Sequence, residues 1–465
     1  MEQTLGGESV LVRFKNSEGL NVLDLRSGRQ AKGFSQFFSS PTSERRFVLN
    51  KQGSELTDFD SGEALNIPNF GAIGEYIQFS PDGKEALTPF NSSEGGGWTD
   101  LISQREIRCR DGVPNTMRRP SFSPDGRDVY GKAFIDNTPQ LIDLRTGEAV
   151  SIASVTPTQV QEVGEIHFSA NSKVAIVPVK VGYSWRFLNL NAGALFEHHG
   201  EKISSCESVS VSPRGDSAFA VVRCNHERVL YDILAGRQVK VEGHSFRDPR
   251  VPLYSPSGRA AYVGVGVGDS YKLLDLTTSS FVRIPASQVD HICEVYFSVF
   301  AEDCYAPIHA DGGWKLLRVD TGTIIPIPGP PPNLMGKVCF SPNGREGFLS
   351  LREGSTWKLL NINTGALHES PDGKMLLPVF SQDSSRAFAF ISDGGNTPRL
   401  QILDVLSGKV IPLPKNSAIA GELAQGTGAS VLVALGLPDD VYILDLSGDH
   451  IANLSRTRAA SRSDT

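Results

Sequence analysis

Apolar positions along this chain fall in short runs, some alternating with polar residues and some continuous, and each run ends at a turn signal. Lys173–Val181 and Arg259–Val267 are typical: β-branched and aromatic residues at strand density, bounded by Ser, Asn, Asp, Gly or Pro. No stretch shows a convincing helical period, so the pattern predicts strands and tight turns from end to end.

Two phrases recur. The first is Phe79-Ser-Pro-Asp-Gly83, repeated as Phe122–Gly126, Val211–Gly215, Tyr254–Gly258 and Phe340–Gly344, with diverged copies at Phe38, Phe168, Phe297 and Phe380. An apolar residue ends a strand, Pro presets φ at the second turn position, and Gly closes a hairpin. Glu369-Ser-Pro-Asp-Gly373 matches the words but falls out of frame, which predicts a different turn.

The second phrase, as in Leu141-Ile-Asp-Leu-Arg-Thr-Gly147, recurs at Asp24, Asn189, Asp232, Asn361, Asp404 and Asp445, with weaker copies at Asp275 and Arg318. Asp and Asn exchange at its key position. That predicts a side chain that hydrogen-bonds the turn backbone, where either residue serves, rather than a catalytic carboxylate.

From Trp185 the register is unbroken, with Trp185, Arg228, Tyr271, Trp314, Trp357 and Leu400 spaced 43 residues apart. Each period holds four strand-sized segments, which predicts an all-β chain, a β-propeller of about eleven four-stranded repeats. The array covers residues 1–454, as one large ring or split near Ser151–Glu162 into four units plus seven; residues 455–465 form a polar tail expected to be disordered.

These units resemble WD-repeat and TolB-type propeller repeats, whose hallmark is a Ser-Pro-Asp-Gly turn followed by a strand ending in Asp. The resemblance spans residues 8–454. Leu-Asp, Ile-Asp or Tyr-Asp stands where WD repeats have Trp-Asp, and Gly-His occurs only at Gly243-His244. The resemblance therefore implies the fold, without the side-chain hydrogen-bond tetrad of WD repeats in most units and without a family function.

Composition narrows the function classes. A net charge of −7 with mixed signs gives no basic stripe for nucleic acid. No apolar run reaches the ~20 residues of a membrane helix. Six scattered cysteines without metal spacing, and a first segment without a basic or apolar leader pattern, suit the cytoplasm. A secreted, TolB-like adaptor would need disulfides and a removed leader.

Linear catalytic motifs are absent: no Gly-x-Ser-x-Gly, no phosphate-binding loop, no His-Glu-x-x-His. Gly264–Gly268 reads as a hairpin tip, His198-His199 as a surface turn, and Ile327–Asn333 as a stiff connection. No catalytic residue, metal ligand or cofactor is assigned.

The four tryptophans (Trp98, Trp185, Trp314, Trp357) and Tyr271 stand where the loop after the second strand enters the third. Equivalent positions in successive units share a face, and Trp and Tyr beside polar, glycine-bearing loops suit a protein-binding surface. The expectation is a non-enzymatic scaffold that binds a protein or peptide through Trp185, Tyr271, Trp314 and Trp357. Two alternatives stand beside it: the same rings packing between units as core, and a hydrolase or lyase with its site in the central channel.

Overall fold

In the computed structural model, the described residues are 77–370 apart from 93–94, 111, 246 and 300–302. Outside that span they are 2–3, 10–16, 19–24, 29–42, 45–52, 54–65, 375, 377–392, 400–412, 418–419, 424–425, 431–437, 440–446 and 452–454. The predicted tail, residues 455–465, lies outside them.

Among the described residues the strands form ten antiparallel sheets, one of seven strands and nine of four or five. In chain order they are sheet 1 (residues 2–65), sheet 2 (78–108), sheet 3 (114–149), sheet 4 (160–195), sheet 5 (203–238), sheet 6 (253–281), sheet 7 (289–325), sheet 8 (334–370), sheet 9 (379–412) and sheet 10 (418–454). The Gln30–Ser39 strand of sheet 1 pairs with Gly19–Asp24 at one end and Arg46–Asn50 at the other, so that sheet holds two successive repeats. One 3₁₀ turn, Pro157–Gln159, is the only helical element described.

Each repeat runs up and down through four strands. In sheet 6 these are Leu253–Tyr254, Ala261–Val267, Ser270–Asp275 and Ser280–Phe281. The first phrase joins the first two strands and the second phrase joins the last two. Both lie at one end of the sheet, and the second-to-third hairpin lies at the other.

The turn chemistry has the predicted form. Asp58, Asn189, Asp275, Asn361 and Asp404 each accept backbone N–H groups two and three residues on through Oδ1. At the weak copy, Arg318 instead pairs with Asp320 and Asp303. The first two residues of the out-of-frame phrase, Glu369 and Ser370, end the fourth strand of sheet 8 and do not close a first-to-second hairpin; residues 371–374 lie outside the described residues.

The first strand of a repeat is interrupted by a bulge opposite the fourth residue of the second strand. Arg118, Gly164, Arg250 and Cys293 donate there to the carbonyls of Lys132, Pro178, Gly264 and Pro307, at 2.8 to 2.9 Å. In sheets 3, 4, 7 and 10 the interruption splits the first strand into two, which produces the fifth strand. It also explains prolines inside the second strand: the N–H that Pro178 or Pro307 lacks would face a bulge, where the regular ladder is already broken.

Neighbouring sheets share their cores. Ile176, Trp185 and Phe187 of sheet 4 pack with Ile203, Ala218, Val222 and Tyr231 of sheet 5. Aromatic pairs repeat the joint along the array: Tyr130 on Phe168, Phe219 on Tyr254, Tyr262 on Phe297 and Tyr305 on Phe340, at 5.9 to 6.5 Å between ring centroids. The first-phrase aromatic thus stacks on the second strand of the preceding repeat. Repeated four-stranded antiparallel sheets packed in this way make the β-propeller architecture. Leu141 of sheet 3 and Ala175, Val177 and Val179 of sheet 4 belong to one cluster with Val150 and Ile152, so apolar packing runs across residues 151–162.

Candidate binding face

Trp185, Tyr271, Trp314 and Trp357 each occupy the second position of a third strand, opposite Lys180, Gly266, His309 and Arg352. They therefore stand at the same end of their sheets, beside the second-to-third hairpins. Trp98 does not share this register. It lies two residues deeper, opposite Pro89, is 0% exposed, and donates from Nε1 to the Arg118 carbonyl at 3.1 Å. The expectation for Trp98 is corrected accordingly: its hairpin pairs like the others, but Gly96 holds the second position of the third strand and Trp98 the fourth.

The four remaining rings all lean on the next sheet. Trp185, 9% exposed, is part of the core shared by sheets 4 and 5. Tyr271, Trp314 and Trp357 are half-buried against the cores of sheets 6 and 7, 7 and 8, and 8 and 9 respectively. Next to Tyr271, the Ser270 hydroxyl donates to the Val289 carbonyl at 3.1 Å and accepts from Val289 N–H at 3.1 Å, tying the two sheets together at this level.

The structure brings Tyr271 and Trp314 together through histidine. His291 meets Tyr271 and Trp314 edge to face, at 6.3 and 6.2 Å, and His309 meets Trp314 at 5.4 Å. Asp290 holds His309 Nδ1 at 3.0 Å, and Arg250 Nη2 lies 3.5 Å from His291 Nδ1. Burial, with Arg250 and His309 nearby, pushes the His291 pKa down, so the ring is neutral at neutral pH. Trp185 and Trp357 have no part in this cluster.

His291 also lines a groove of ≈ 600 Å³ along the first strands of sheets 6, 7 and 8, together with Arg250, Val251, Tyr262, Glu294 and Lys337 among others. Cys293 also lines it, but burial raises its thiol pKa, and burial pushes Cys206, Cys304 and Cys339 up to about 12. None of these thiols is an activated nucleophile. Among the described residues no group of three or more His, Cys, Asp or Glu could hold a metal.

Other sequence candidates resolve as structure. Gly264 and Gly266 lie inside the second strand of sheet 6 rather than at a hairpin tip, and only Gly268 turns, with φ +57°. A Cβ on Gly264 would come 3.4 Å from Arg250 Cγ, so the small residue leaves that side chain room over the strand. His198 bonds Tyr231 Oη at 2.6 Å and the Glu201 carbonyl, and His199 pairs with Glu197 at 3.1 Å; these are turn contacts. Asn333, at the end of the proline-rich connection, accepts Gly354 N–H at 2.8 Å and fixes it against the neighbouring hairpin.

Sequence reasoning missed the groove because its lining comes from three repeats and shares no linear motif. Arg250 and Lys337 fall at first-strand bulges and His291 two residues before one, and only the strand register reveals the relation.

No protein-family model matches this chain, and no curated protein matches it. Among solved structures it is similar to a eukaryotic initiation factor, 13% identical with a TM-score of 0.40, over 78% of this chain and 94% of that one. It is also similar to the dihydro-heme d1 dehydrogenase NirN, 15% identical with a TM-score of 0.31, over 81% of this chain and 75% of that one. At those scores neither bears on what this chain does.

Proposed function

We propose that this protein is a non-enzymatic β-propeller scaffold of the WD-repeat or TolB type, working in the cytoplasm, that binds a protein or peptide on the face carrying its second-to-third hairpins. The observation that carries the reading is the edge-packed cluster of Tyr271, His291, Trp314 and His309, whose His291 also lines a ≈ 600 Å³ groove. Half-buried aromatics held rigid by neighbouring rings lose little freedom on binding and supply much contact area. Trp357 extends the same row one sheet further, and Trp185 anchors its other end from within the core. We take the array as continuous, which the apolar cluster spanning residues 151–162 favours, as does the approach of the Glu2–Gln3 backbone to Ala424–Gln425.

The test is affinity capture from native cell extract with the intact chain and with a Trp314→Ala, Trp357→Ala bait. Partners retained by the first and lost by a second that still melts cooperatively support the face. Undiminished capture removes these rings from the interface, and an unfolded variant assigns them to packing. A hydrolase or lyase reading draws on His291 and Glu294 sharing the groove. It would work by acid–base chemistry on those side chains, and turnover lost in His291→Gln would favour it over the scaffold.

A further inference from the structure

We infer that the groove along sheets 6, 7 and 8 takes a carboxylate-bearing segment of a peptide, held between Arg250 and Lys337; this rests on the peptide-binding reading above and names the chemistry of its partner.

The repeats supply their own comparison. At the first-strand bulges of sheets 3 to 8 an exposed side chain projects, and in sheets 4 and 5 the charge there is satisfied within the molecule. Glu165 pairs with Lys132, and Glu207 pairs with both Arg223 and Arg228 at 2.8 Å. In sheets 6 and 8 the corresponding charges are cationic, Arg250 and Lys337, and neither has an ion-pair partner among the described residues. Both line one cavity.

The rest of the lining suits a peptide more than a polyanion. Val251, 47% exposed, together with Leu253, Tyr262, Val295 and Met335 gives an apolar wall, which strengthens a charge pair by displacing water. A planar guanidinium matches a carboxylate two-pronged, and an ammonium adds a point charge from the other side. Arg250 is already oriented: its backbone N–H is tied to Gly264 at 2.9 Å, and neutral His291 faces its Nη2. Glu294 stands in the same groove, close to the Tyr296 hydroxyl at 3.5 Å. It would repel a dense run of phosphates but can accept a peptide N–H or lysine. The net charge of −7 disfavours nucleic acid for the same reason.

Anisotropy titrations test this with the full chain and two fluorescein-labelled ten-residue peptide pools, one rich in Glu and Asp and one with Gln and Asn in their place. The acidic pool should bind about tenfold or more tighter, weaken with added salt, and lose that preference in Arg250→Ala, Lys337→Ala. Both side chains are exposed, so melting of the variant should match the parent. A control variant, Arg118→Ala, Arg119→Ala, removes two exposed cations at the equivalent bulge of sheet 3 and should change affinity less than about twofold. Equal binding of the two pools, undiminished binding by the groove variant, or an equal loss in the control overturns the inference. The groove variant, used as capture bait, separates the two proposals: if it keeps the partners that Trp314→Ala, Trp357→Ala loses, the face stands and the carboxylate site falls.

Discussion

The serine of the first phrase is buried at every in-frame copy from Ser40 to Ser381. At Ser80, Ser123, Ser341 and Ser381 its hydroxyl accepts the backbone N–H five residues on at 3.0 Å and donates to the Asp or Asn two residues on at 2.7 Å. A short polar side chain thereby closes the hairpin without leaving a buried donor unpaired. Ser123→Ala strips Asp128 N–H of its partner and should cost about 1–3 kcal/mol in urea unfolding. Asp275→Asn should be nearly neutral in the same assay, because the acceptor oxygen remains, whereas Asp275→Ala should cost about 1 kcal/mol. A large penalty for Asn would mean the charge matters. Histidine sets a pH dependence. Burial lowers the pKa of His167, His198 and His291 below the usual 6.5. Between the folded and unfolded values the unfolded chain binds more protons, so their stabilisation is full above 6.5 and is lost as pH falls below it. The melting temperature should decline from pH 7 to pH 5.5, and His291→Gln should flatten part of that slope; an unchanged profile would remove His291 from the account.

At the scale of strands, the third-strand row has two kinds of member. Trp185 is core, and Trp185→Ala should cost about 3–5 kcal/mol by denaturant midpoint. Trp314 keeps an exposed edge, so Trp314→Ala should cost clearly less. Equal penalties would place Trp314 in the core as well and leave the face with little to offer a partner. A different device holds the first repeats. Arg46 bonds Asp24 at 2.7 Å, pairs with Asp60 and covers the Phe59 ring at 4.9 Å. Burial opposes its charge, but the two carboxylates outweigh it and raise its pKa. Arg46 thereby joins the first repeat, through Asp24, to the second, through Asp60.

Across the whole molecule, stability is carried from sheet to sheet, because each repeat buries its apolar side only against the next. Deleting residues 1–155 would uncover Ala175, Val177 and Val179, the sheet 4 side of the cluster shared with sheet 3. The truncated chain should bind a hydrophobic dye and melt below the parent. A fragment that melts at the parent's temperature without dye binding would mean that a separate seven-unit ring begins there.

The strands, their turns and the four-strand period were legible in the sequence because they are local: a Ser-Pro-Asp-Gly hairpin or an Asx turn is specified by residues within six positions of each other. The same residues do not say which side of a ring meets solvent. Trp98 and Trp314 look alike in sequence, yet a two-residue difference in position along equally long third strands buries the first and leaves the second half-open. The stacking of Phe219, Tyr262 and Tyr305 on the next repeat's first-phrase aromatic hid behind the first-phrase turn that follows each of those aromatics. The groove was illegible altogether, since Arg250, His291 and Lys337 stand more than 40 residues apart and line one cavity only because three first strands lie side by side, with Arg250 and Lys337 at bulges and His291 two residues before one. Sequence determined the repeat, through short-range hydrogen bonding and apolar alternation. Tertiary structure decided the surface, because exposure and charge pairing depend on how one sheet lies against another.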